Sequence, residues 1–166
     1  MTKFFIVAFL LITGYSYAQS INDTTGARIS AKDAQLVLDH HNRVRKEVGV
    51  PPLTWSKELA AFAQQWADQL ASTGKFEHRP NNSYGENIFI GSGGYTVLDA
   101  SKDWYSEKKG YTYSKIGDDL SAGHYTQMVW KNTKQMGVGV AIAGNGDMYV
   151  VANYSPPGNF IGQFPY

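Results

Sequence analysis

The run Gly123 to Trp130 carries the titratable His124, and upstream of it stand His78, Glu86 and Glu107, whose types also suit chemistry. Neutral imidazole and carboxylate both bind zinc or another divalent cation. A glutamate beside a metal-bound water can also act as a general base, which makes Glu86 and Glu107 the catalytic candidates. The spacing is open and lacks a pair of histidines one helical turn apart on a helix, as in compact metalloprotease motifs. Taken singly, each histidine therefore also reads as an ordinary hydrogen-bonding side chain. His124 stands in the run Gly123-His124-Tyr125-Thr126-Gln127-Met128-Val129-Trp130, Glu86 in Tyr84-Gly85-Glu86-Asn87-Ile88, and Glu107 just after Trp104. The chain has no Gly-x-Ser-x-Gly elbow and no cysteine. Tyr125 and Thr126 have no identifiable third group to orient a base, so they read as packing and hydrogen-bonding residues rather than nucleophiles.

The elements that must position these residues follow from periodicity and breakers. Ser30 is placed to cap a helix carrying Val37, His41, Val44 and Val48 on one face, closed by Gly49 and stopped by Pro51-Pro52. On that face His41 is a core histidine. His40 lies off the stripe and is expected in solvent, while Asn42 and Arg43 are expected to tie the helix to a neighbouring loop. Ser56 caps a second helix with the stripe Leu59, Ala63, Trp66 and Leu70, ending at Gly74. Lys75 to Ser83 reads as loop. A third helix is expected over Val97 to Lys108, with Ala100, Trp104 and Glu107 on one face, so Glu107 either ends the helix in solvent or points into a polar site beside the core. Tyr111 to Gly123 suggests a long mobile loop. Met136 to Ala143 and Met148 to Asn153 are strands joined through Asn145-Gly146-Asp147. Helices first and a hairpin late imply an α+β domain with helices packed on an antiparallel sheet.

The start of the chain has a basic residue, Lys3, an apolar run from Phe4 to Ile12, and Ser16-Tyr17-Ala18. This is the pattern of a secretory signal peptide over residues 1–18, cleaved after Ala18, with a core too short for a permanent span. Residues 19–30 read as a flexible leader and residues 31–166 as one domain without repeats. Of 15 basic residues one lies in the signal, so the remainder balances the 14 acidic residues. Such a balance argues against nucleic acid as a partner and gives no electrostatic reason for membrane adsorption. The expected location is extracellular, or periplasmic in a Gram-negative bacterium. Without cysteine there is no disulfide, thiol nucleophile or Cys-ligated zinc.

In this order, the motif at Gly123–Trp130, the segment Asn153-Tyr154-Ser155-Pro156-Pro157-Gly158-Asn159-Phe160, and the weaker segments His41-Asn42-Arg43-Val44-Arg45 and Gly85-Glu86-Asn87-Ile88 resemble the CAP superfamily. That superfamily comprises cysteine-rich secretory proteins, antigen 5 and pathogenesis-related class one proteins, and this chain is most similar to the plant type. The resemblance runs from about Ala34 to Tyr166. It implies a three-layer α-β-α sandwich and a cavity tetrad of His78, Glu86, Glu107 and His124, in which His78 and His124 take zinc or another divalent cation. In fungal relatives the loop at Tyr111 to Gly117 is associated with sterol, which makes Tyr111, Tyr113 and Ile116 the candidate ligand loop. In plants an equivalent of the tail Pro156 to Tyr166 can be released as a signalling peptide, although Ser155 stands here where an acid is usual. Ala152 and Val138 stand at positions where relatives carry cysteine, and both are small and apolar. The expected function is a secreted, monomeric, non-enzymatic binding module for a divalent cation and, in an adjacent groove, a small apolar ligand or a peptide. The alternatives are a metal-dependent hydrolase using Glu86 or Glu107, and a precursor of the tail peptide.

Overall fold

A computed structural model describes residues 25–166, so the expected signal peptide and the first part of the expected leader lie outside the described residues. Helix α1 spans Ala31–Glu47, and the Ser30 hydroxyl accepts from Asp33 N at its start. Strand β1 is only Thr54–Trp55. Helix α2, Lys57–Thr73, is capped by Ser56 and ends at Gly74, whose φ of 69° a side chain would resist. Strand β2 is Gly85–Gly91, helix α3 is Val97–Ser106, and a turn of 3-10 helix covers Glu107–Gly110. Helix α4 is Gly123–Met128, and β3 (Gln135–Ile142) and β4 (Met148–Ser155) complete the domain. Among the described residues no helix is long and apolar enough to cross a membrane.

The sheet order is β1-β3-β4-β2. The three long strands are antiparallel, as expected, and the short β1 adds to β3 in parallel. Alternation along the strands sorts side chains into two layers. On one face Ile88, Tyr149 and Val151 pack against Ala63, Ala67 and Leu70 of α2. On the other, Val138, Val150, Ala152 and Tyr154 pack against Val37, Val44, Ala100, Trp104 and Tyr125. The result is an α-β-α sandwich. Helix α2 lies unusually close to β3. A Cβ on Gly137 would stand 2.2 Å from Ala60 N, and one on Gly139 would stand 2.3 Å from Gln64 N. Glycine on the strand and alanine on the helix are therefore one packing solution. Val138 and Ala152, at the cysteine positions of relatives, are register partners in β3 and β4 and are fully buried.

Several expectations change. Residues 25–30 are packed rather than free, because Ala27 and Ile29 are buried, Trp55 Nε1 donates to Thr25 O at 2.8 Å, and Arg28 N donates to Gln64 Oε1 at 3.0 Å. Apolar residues at 27 and 29 in a polar stretch have a core to reach. His40 is buried, not solvated. Its ring meets Tyr105 edge-on at 5.7 Å and its Nδ1 lies 2.7 Å from Ser101 Oγ. Helix α3 supplies both residues and covers the flank of α1 that the apolar stripe alone leaves open.

Two buried polar residues of α1 hold the α1–α3–α4 layer. Arg45 is fully buried, and burial pulls its pKa down to about 10, which leaves it cationic at neutral pH. Its Nε donates to Pro51 O (2.7 Å), one terminal nitrogen to Met128 O and Trp130 O (2.9 Å each), and the other to Thr133 O (3.0 Å). The expected tie through Arg43 is made by Arg45 instead, since Arg43 is exposed. Asn42 does bind the loop, trading bonds with Leu53 N and O. His41 donates from Nδ1 to Val37 O (2.9 Å), so its Nε2 accepts from the Tyr154 hydroxyl (2.9 Å). Burial lowers the His41 pKa to about 3.

Arg45→Lys should destabilise the fold by about 3 kcal/mol or more, because an ammonium cannot span the four carbonyls and leaves buried acceptors unmet; urea unfolding at pH 7 checks this. The second prediction concerns acid. His41 is neutral in the folded chain down to about pH 3, whereas in the unfolded chain it gains a proton below about 6.5. Stability should therefore fall with pH from about 6.5 downward, by up to about 1.4 kcal/mol per pH unit from this group. Urea midpoints measured between pH 7 and about pH 4.5, above the ordinary carboxylate range, should show a proton uptake on unfolding that His41→Gln reduces by about one.

Candidate functional site

The four candidate residues form two carboxylate–imidazole pairs on different elements. In the first, His78 lies in the connection from α2 to β2 and Glu86 on β2. His78 Nδ1 stands 2.8 Å from Glu86 Oε1, which also accepts from Arg79 N at 2.9 Å. Glu86 Oε2 accepts from Asn82 Nδ2 at 3.1 Å and from Asn153 Nδ2 at 3.5 Å. All four acceptor positions of Glu86 are thus met. Its side chain is 5% exposed while that of His78 is 61% exposed, so a buried carboxylate holds a ring that reaches solvent.

In the second pair, His124 is the second residue of α4 and Glu107 begins the 3-10 turn after α3. His124 Nδ1 lies 2.6 Å from Glu107 Oε1, and Glu107 Oε2 accepts from the backbone N–H groups of His124 (2.9 Å) and Tyr125 (3.1 Å). The glutamate therefore caps the free N–H groups at the first turn of α4 and orients the histidine in the same step. Of the two fates open to Glu107, it takes the polar site beside the core. Trp104, one turn earlier, lies with its ring 6.2 Å from that of His124 and forms a wall.

The two pairs are joined through β2. Glu86 shares a face with Ile88, on the α2 side, while Asn87, the next residue, faces the other layer. Asn87 Nδ2 donates to His124 O (3.2 Å) and to the Tyr154 hydroxyl (3.1 Å). The chain of bonds runs on from Tyr154 to His41, Ser101 and His40. Sequence reasoning assigned no role to Asn87, Asn82, Asn153 or Ser101. Single amides and hydroxyls carry no periodic signal, and only the register reveals their partners. Asn153 Oδ1 has no hydrogen-bond partner among the described residues, and its amide nitrogen lies 3.5 Å from Glu86 Oε2.

In both pairs the carboxylate can only accept, so the neutral imidazole carries its proton on Nδ1 and presents the Nε2 lone pair. That is the arrangement in which a second-shell carboxylate orients a metal-binding histidine. Among the described residues no group of three or more His, Cys, Asp or Glu side chains gathers into a metal cage. Two free imidazole nitrogens are too few for a closed structural zinc site, which takes four protein ligands.

The remaining residues of the Gly123–Trp130 run dock the C-terminal tail. Thr126 Oγ1 donates to Asn159 Oδ1 (2.7 Å), and Asn159 Nδ2 donates to Gly123 O (2.8 Å). Gln127 Oε1 accepts from Gly158 N (2.9 Å). Tyr125 is buried between Tyr105 and Tyr111. The tail in turn pins the candidate ligand loop. Ile116 exchanges backbone bonds with Gln163 and Gly162, and Tyr113 stacks on Phe164 at 5.0 Å. Beneath Tyr111 and Ile116 lies a cavity of about 330 Å³ whose wall includes Ser114, Leu120 and Thr126. The loop thus adjoins a pocket separate from both imidazoles, and Tyr113 is turned onto the tail.

Comparison with known proteins bears on the family and the fold. The model of the CAP family, described as the cysteine-rich secretory protein family, matches residues 38–154. The chain is 39% identical over 169 residues to pathogenesis-related protein 1C of Nicotiana tabacum, covering 100% of this chain and 95% of the relative. It is 45% identical over 130 residues to the Golgi-associated plant pathogenesis-related protein 1 of Homo sapiens, covering 76% of this chain and 84% of that one. Among solved structures, that of NaASP2 with Zn2+ is similar at a TM-score of 0.74 and 31% identity, covering 83% of this chain and 86% of the other. Motif order, sandwich and family match converge, and the chain belongs to the CAP, or cysteine-rich secretory protein, family.

Proposed function

We propose that this protein is a secreted, monomeric binding module that holds a divalent cation through His78 and His124. The observation that carries the reading is the repeated pairing of Nδ1 with a buried or capping carboxylate, which leaves an Nε2 lone pair on each ring. The solved relative with Zn2+ supports the choice of zinc as the first cation to test. With two protein donors and water completing the shell, affinity is moderate and the cation exchanges. A binding role is favoured over hydrolysis because a general base needs an oxygen free to reach water. Glu86 has none left, and Glu107 is committed to His124 and to the start of α4. A small apolar ligand belongs to the separate cavity under Tyr111 and Ile116. The tail from Pro156 acts as a structural strap, since its Gly158, Asn159 and Gln163 bonds hold α4 and the ligand loop.

Zinc titration by calorimetry on the chain from Gln19 tests the cation. The expected result is binding near one equivalent that His78→Ala and His124→Ala each remove, with the folded spectrum kept in both variants. Absent binding, or binding that both variants retain, would reduce the two pairs to polar struts.

A further inference from the structure

Strand β2 is an edge of the sheet, and among the described residues it pairs only with β4. The Ile88 carbonyl turns off the sheet toward α3, where Trp104 Nε1 donates to it at 3.1 Å. Residues two apart in a strand direct their backbone groups alike, so Ile90 turns its N–H and C=O to the same open side. Most exposed edges are blunted by charge, proline or a covering element. Here Trp104 covers the edge at Ile88, and a groove of about 700 Å³ runs along the rest, with β2 from Ile88 to Gly91 as its floor and Glu107 and His124 also lining it. Its walls come from both helical layers. Phe76, 49% exposed, rises from the connection after α2, and Tyr95, 53% exposed, rises before α3 and packs on Phe89 at 5.5 Å. At Gly91 the Phe89 and Tyr95 rings close down on the strand, where a Cβ would stand 2.8 Å from both, so the open part of the floor is at Ile90.

The groove also carries a charge. Asp103 of α3 lines it, is exposed, and takes part in no ion pair among the described residues. Glu107, at the same end, is bound to His124. Open backbone groups, two aromatic walls and an unpaired acid match a single kind of occupant.

We infer that the β2 edge is a docking site for an extended peptide segment that adds to the sheet as a further strand. Its backbone bonds to Ile88 N–H and to Ile90, an aromatic or large aliphatic side chain lies against Phe76 or Tyr95, and a lysine or arginine reaches Asp103. The inference rests on the sheet and the groove and does not require the cation at His78 and His124.

Short random peptides displayed on phage and selected on the immobilised protein in EDTA provide the probe. The enriched peptides, resynthesised, are then titrated into labelled protein by NMR. They are expected to carry Lys or Arg together with an aromatic residue, to shift the amides from Ile88 to Ser92, and to slow exchange at the Ile90 amide. Asp103→Asn should weaken them by about fivefold, as an exposed ion pair allows. Methylating a strand-facing amide nitrogen of the peptide should abolish binding, and that readout leaves the protein's own fold untouched. No enrichment over a blank surface, peptides that map away from β2, or methylated peptides that bind equally well would overturn the inference. Because the selection runs in EDTA, peptide binding together with a failed zinc titration removes the cation reading and leaves this one standing.

Discussion

The structure depends on a buried cation that forms no ion pair with a carboxylate among the described residues. Arg45 spends its guanidinium on four backbone carbonyls, from Pro51, Met128, Trp130 and Thr133. Two of these, Met128 and Trp130, lie at the C-terminal end of α4, where carbonyls lack helical partners and the helix dipole favours positive charge. Helix α4 is one and a half turns long and could not persist alone. It is fixed at its end by Arg45 and at its start by Glu107. Since His124 occupies that start, the placement of one imidazole follows from a charge buried on a different helix.

A second polar chain does work that disulfides do in many secreted domains. His41 receives a bond from Tyr154, which receives one from Asn87, which also holds the His124 carbonyl. The direction of every bond is set by one fact, that His41 Nδ1 donates to Val37 O. Such a network specifies a single arrangement, because reversing one member leaves another unmet in a low-dielectric interior. Where relatives place cysteines, Val138 and Ala152 lie opposite each other and fill the core with ordinary apolar packing. Polar cross-links thus join α1, β2, β4 and α4 alongside that packing.

Much of this was legible in the sequence, for identifiable reasons. The caps at Ser30 and Ser56 and the stop at Gly74 stand where side-chain chemistry predicts them, because they depend on neighbours along the chain. The hairpin through Asn145-Gly146-Asp147 was read the same way, with Gly146 at positive φ. His40 and Arg45 were not legible. Their environments are built by α3 and by the end of α4, more than fifty residues away, and helical periodicity describes only one face at a time. The grouping of His78, Glu86, Glu107 and His124 came from family resemblance rather than from spacing, and the structure supplies what neither could: which carboxylate takes which ring, and through which nitrogen.

That nitrogen is the most direct test of the account. Long-range nitrogen–proton correlation NMR on labelled protein reports the tautomer of each neutral histidine ring. The account predicts that His78 and His124 both carry their proton on Nδ1 and show Nε2 as the unprotonated nitrogen, with no metal added. A proton on Nε2 in either ring would mean that the carboxylate does not orient it, and the cation-binding reading of the two pairs would be contradicted.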